Sequence, residues 1–117
     1  MTILKVVVAA AVMALTSAGA VYGETDVLTA AYCMGWLMDQ SQNTKLSPDK
    51  LRDARERFLA LRPVFDQAKD ESKEKLTETA MVMEFERAEK ARQRLGHVEY
   101  FAIVALCDRY ADQFRKN

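Results

Sequence analysis

Leu51, Ala54, Phe58, Leu61, Phe65 and Ala68 follow one another at intervals of three, four, three, four and three residues. That is the a/d spacing of a helix that buries a narrow seam against other helices, so this segment belongs in a bundle. Its start is equally legible. Ser47 can cap the helix, Pro48 suits its first position, and Asp49 complements the positive end of the dipole. Pro63 falls inside the run. It lacks the N–H that would bond back to the Leu59 carbonyl, which predicts a kink over 59–62 rather than an end.

The rest of the chain from Glu24 onward also favours helix. It is rich in Ala, Leu, Met, Glu, Lys, Arg and Gln, with Gly only at 35 and 96 and Pro only at 48 and 63. A first helix is expected at about 25–40, where Val27, Ala30, Ala31, Met34, Leu37 and Met38 share one apolar face. SQNTKLS (41–47) is a polar connector, and the second helix spans 48–69. A continuous helix from 48 to 94 would be about 70 Å long, too long for a domain of this size. The next apolar set, Ala80, Met81, Phe85, Ala88, Ala91 and Leu95, is also about a third of a turn out of phase with the Leu51–Ala68 seam. Both arguments place a turn at 69–74 and a third helix at 75–94, with Gly96 as its left-handed stop. A fourth helix follows at 98–115, carrying Val98, Phe101, Val104, Leu106, Cys107, Tyr110 and Phe114. The expected fold is all-α: a small antiparallel up-down-up-down four-helix bundle.

The first residues read as a targeting segment. Lys5 supplies the charged start, VVVAAAVMAL (6–15) is an apolar core, and TSAGA (16–20) places Ala18 and Ala20 where a signal peptidase looks. Cleavage after Ala20 and cleavage after Gly23 both fit. An uncleaved anchor is the alternative, since 6–23 carries no charge, but it is short and only weakly hydrophobic for a span. The expectation is a cleavable signal peptide at 1–23, standing apart from the fold, and one helical domain at 24–117. That implies a periplasmic or secreted protein whose membrane contact is limited to a retained leader.

Export gives the two cysteines their meaning. Cys33 and Cys107 permit one intramolecular pairing, and in an oxidising compartment an even count defaults to a disulfide. In the expected bundle the first and last helices are adjacent and antiparallel, and both cysteines sit near mid-helix on apolar faces. Topology and compartment therefore predict the same bond. Gly35, costly in a helix interior, fits a close helix crossing nearby. A redox centre would instead want C-x-x-C at a helix start.

Lys5 is the only charge in 1–23, so the exported part keeps 16 of the 17 basic residues against 17 acidic ones, a formal −1. Such a balance offers nothing to nucleic acid or an anionic membrane. Asp53/Arg57, Glu71/Lys75 and Glu86/Lys90 are i,i+4 pairs of solvated helix faces. With one histidine, His97, the usual catalytic constellations lack their base, so no enzyme is expected. No cofactor is expected either. A small-molecule, haem or copper carrier of the periplasmic four-helix type is the alternative, with Met34, Met38 and His97 as candidate ligands and Met81 and Met83 in support. Against it stand the missing second histidine and the habit of methionines to fill cores.

Arg52, Arg55 and Arg62 form a stripe beside the seam that could receive an acidic partner, although arginine stems more often cover a core edge. Trp36 and Tyr32 are candidate interface residues if exposed and core if buried. The reading that follows is a small exported, non-enzymatic helical protein that binds another exported or envelope protein as inhibitor, adaptor or chaperone. A further alternative is a chaperone activated by acid, because at low pH the acids neutralise while the bases keep their charge.

Overall fold

The computed structural model describes residues 24–67 and 71–115, with side chains described for 27–67 and 75–115. The leader at 1–23 and part of the turn expected at 69–74 lie outside the described residues. Four helices make up the described chain, with no strand among them: α1 Glu24–Ser41, α2 Pro48–Asp66, α3 Glu71–Gln93 and α4 Val98–Asp112. The chain does break between the second and third helices. However, α2 stops at Asp66 and α3 is already helical at Glu71, so the second helix ends and the third begins earlier than the phase argument placed them. α4 ends at Asp112, short of the expected 115.

Local signals in the sequence act as their chemistry dictates. Ser47 caps α2, its Oγ accepting the Lys50 N–H at 3.3 Å. Pro63 lies inside α2, which runs on for another turn. α3 ends with Leu95 and Gly96 both in the left-handed region, at φ 38° and 68°. Glycine takes that conformation freely, but leucine pays a steric cost of about 1 kcal/mol.

α1 is the centre of the fold. It packs against α2, α3 and α4, whereas α2 and α3 barely meet. Val27, Ala30, Ala31, Cys33, Met34, Trp36, Leu37 and Asp39 are all buried, so α1 is covered nearly all round. A helix enclosed on every side needs apolar residues on every side, and AAYCMGWLM (30–38) supplies them. Cys33 and Cys107 are joined by a disulfide, Cα to Cα 5.1 Å, tying the first helix to the last. The Cys33–Cys107 and Asp39–Tyr100 contacts run in opposite senses along α1 and α4, so these two are antiparallel.

α3 contacts α1 closely and in parallel. Gly35 sits against its backbone: a Cβ built there would fall 2.5 Å from the Met81 carbonyl oxygen and 2.7 Å from the Phe85 nitrogen. The close crossing expected at Gly35 is real, and it is made with the third helix. α2 presents Ala54, Leu61 and Val64 as its buried residues, with Phe58 and Phe65 packed half-buried beside them. On α3 the buried positions are Thr77, Glu84 and Ala88. Leu95, expected in the α3 seam, is instead 72 % exposed, because the left-handed stop turns it away from the bundle.

Candidate functional site

Two features of the bundle bear on function: a polar network buried between α1, α3 and α4, and an apolar surface left uncovered on α4. The network is built from α1 outward. Trp36, 1 % exposed, donates its indole N–H to Glu84 Oε1 at 3.0 Å, and Arg87 Nη1 donates to Glu84 Oε2 at 3.0 Å. One turn further along, Asp39, also 1 % exposed, accepts from Arg92 Nε at 3.0 Å to each oxygen and from the Tyr100 hydroxyl at 3.1 Å. Trp36 and Tyr100 also meet ring to ring, centroids 5.7 Å apart. Burial, with the Asp39 charge second, raises the Tyr100 hydroxyl well above the usual tyrosine value. Burial and then Glu84 raise Tyr32 as well.

Each carboxylate is thus engaged by donors from fixed helices. Among the described residues, no buried side-chain nitrogen or oxygen lacks a hydrogen-bond partner. A fully satisfied network of this kind fixes helix register and orientation. A second set of ion pairs fastens α2 to α4, with Arg57 Nε donating to Asp112 Oδ1 at 2.9 Å and Arg115 reaching Glu56.

The residues singled out from the sequence fall in different places. Trp36 is core, not an interface anchor; its burial and its Glu84 bond remove it from the surface. Tyr32 is half-buried. Arg52, Arg55 and Arg62 are exposed on α2. Arg52 lies among Asp49, Asp53 and Glu56, and Arg62 bonds Asp66 at 3.3 Å. Pairs this exposed contribute little. Met34 is buried in the core. Met38 lines a shallow groove with Ser41, Gln42, Arg55, Phe58 and Leu59, while His97 borders another with Trp36, Lys90 and Tyr100. The metal candidates are therefore not brought into one cavity. His97 caps α4, its Nδ1 accepting the Glu99 N–H at 3.2 Å. Among the described residues, no three His, Cys, Asp or Glu side chains gather as metal ligands would.

The uncovered surface was not foreseen as such. The inner arc of α4 buries Tyr100, Cys107 and Ala111. Its outer arc leaves Val98, Phe101, Ala102, Ala105 and Leu106 exposed, at 80 % for Val98 and 56 % for both Phe101 and Leu106. Leu95 continues the apolar surface past the helix start. The other large apolar residues exposed among the described ones are Leu28 on α1, Leu59 between Arg55 and Arg62 on α2, and Leu76, Val82 and Met83 on α3. Beside the α4 surface lies a groove of about 430 Å³, bordered by Leu46, Ala91, Leu95, Phe101 and Val104, with Lys45 and Arg92 at its edge. The signal was present in the sequence. FAIVALC (101–107) is apolar without interruption, so a helix with only one side against the bundle must show the remainder to its surroundings.

No helix of the described residues is long and apolar enough to cross a membrane. Comparison with protein-family models, with curated proteins and with solved structures gave no match to this chain.

Proposed function

We propose that this is an exported, non-enzymatic helical protein that works by holding another polypeptide against the outer face of α4. The observation that carries the reading is the apolar arc Val98–Phe101–Ala102–Ala105–Leu106, extended by Leu95, which runs nearly unbroken over the outer face of α4. Contiguous exposed apolar surface of this kind characterises protein interfaces. Leu95 adds to it: a leucine held at positive φ with its side chain in water is strain without return inside the monomer, and such strain concentrates at working surfaces. Export is supported by the leader pattern and is compatible with the Cys33–Cys107 disulfide, which suits an oxidising compartment.

The test is site-specific photocrosslinking in cells. A photoreactive residue at Ala102, on the apolar arc, should give discrete crosslinked species that the same residue at Asp49, on the exposed charged first turn of α2, does not. Equal or absent crosslinking at the two positions would refute the reading.

A further inference from the structure

The outer face of α4 carries its own instructions about what fits it. Apart from Asp112 at its end, which Arg57 and Arg115 hold, it carries one acid near its start and one base near its end: Glu99 in the first turn and Arg109 in the last, both exposed. The ion pairs described within the bundle use neither. At 1.5 Å per residue they stand about 15 Å apart along the axis, with Val98, Phe101, Ala102, Ala105 and Leu106 on the same outer half of the helix. The midpoint between them falls level with Val104, and the small residues Ala102 and Ala105 flank it, where they permit two helices to approach closely. A surface that is apolar in the middle, negative at one end and positive at the other is complementary to itself when turned end for end.

We propose that the polypeptide held on this face is a second copy of the same chain. The two α4 helices would pack antiparallel across a two-fold axis, with Glu99 of each set against Arg109 of the other. This deepens the proposed function and rests on it. An isologous contact is closed, so it gives a dimer and not a filament. The antiparallel arrangement also places each helix's positive N-terminal end beside the other's negative C-terminal end. With a formal charge near zero, two copies approach without long-range repulsion. The Leu95 side chain, projecting at the edge of the arc, gains a neighbour that the single chain does not provide.

Sedimentation equilibrium on the oxidised protein, expressed from its full sequence, tests this. The weight-average mass should double as concentration rises over about two decades, as mass action requires. Ala105→Glu should hold it at one chain, with the circular dichroism of the bundle unchanged because position 105 faces outward. Glu99→Arg and Arg109→Glu should each weaken the dimer roughly three- to tenfold, since each breaks two exposed ion pairs. The double exchange should restore it. A dimer indifferent to Ala105→Glu, or single exchanges without rescue by the double, would overturn the arrangement. A protein that stays a single chain at the highest soluble concentration, yet crosslinks from position 102 to other proteins in cells, would overturn the second copy and leave the proposed function standing. Failure of both experiments would remove both.

Discussion

Replacing Gly35 by alanine puts the packing of α1 on α3 to a direct test. In an ordinary helix interior the change stabilises by about 1 kcal/mol, because glycine loses more freedom on folding. Here the new methyl would sit 2.5 Å from the Met81 carbonyl oxygen, 2.7 Å from the Phe85 nitrogen and 2.8 Å from Glu84 Cβ. Two of the three are backbone atoms and cannot rotate away. Ordinary contact begins at 3.4 Å, so the helices must part by close to 1 Å. A gap of that size forfeits up to about half of the dispersion energy of each contact along the crossing. Overpacking of well-filled cores costs about 1–3 kcal/mol, and a backbone obstacle belongs at the upper end. Set against the propensity gain, the net destabilisation should be about 2 kcal/mol, or a fall in Tm of roughly 8–16 °C for a domain of this size. Urea unfolding of the oxidised protein, followed by the fluorescence of Trp36, measures it. The indole also reports locally, since separating α1 from α3 stretches its bond to Glu84. An alanine variant as stable as the parent, or more so, would refute the close crossing.

The other predictions concern the network and the disulfide. Arg92→Met takes both Nε contacts from the buried Asp39 carboxylate and leaves it, among the described residues, the Tyr100 hydroxyl; it should destabilise by about 3 kcal/mol in urea unfolding. The double change with Asp39→Asn should cost less than the sum of the two. Tyr100 has its hydroxyl raised in the folded state, so its contribution is fully present below the ordinary value of 10.0 and is lost as pH rises beyond it. Stability should therefore fall above about pH 10, and Tyr100→Phe should remove that part of the slope, as thermal unfolding across the alkaline range will show. Asp112 behaves in the opposite sense. The hydrogen bond from Arg57 lowers its carboxyl below the usual 3.8, so its contribution is present above that value and lost as acid takes the pH through the folded one; Asp112→Asn should flatten that loss. Reducing Cys33–Cys107 should lower stability by up to about 4–5 kcal/mol on the chain-entropy account. With both cysteines buried, the rate of reduction by dithiothreitol should follow opening of the bundle and rise with denaturant.

Much of this architecture could be read before any coordinates, and the residues show why. Ser47, Pro48, Gly96 and the Leu51–Phe65 seam act locally, through caps and periodicity, and such signals do not depend on what lies across the core. The disulfide was legible because compartment, count and topology all pointed to it. Central placement of α1 was harder. The face of Val27, Ala30, Ala31, Met34, Leu37 and Met38 stood out, but Tyr32, Cys33 and Trp36 lie off it and carry the apolar surface around the helix, which calls for burial on all sides. Asp39, Glu84, Arg92 and Tyr100 escaped notice because a charge in a mixed string looks solvated until its partner is known, and these partners lie 48 to 61 positions apart. The outer face of α4 was missed for a related reason. The sequence shows that the helix is apolar but not which arc of it the core reaches.

The hub position of α1 imposes an order of events on the chain's own making. α1 leaves the ribosome ahead of all three helices that will enclose it, and the sulfur it carries at position 33 has no mate until residue 107 has been made. As α2 and α3 follow they cover most of its apolar sides, and one side stays open until α4 is made. The last helix to arrive therefore closes the remaining side and sets the lock in a single act.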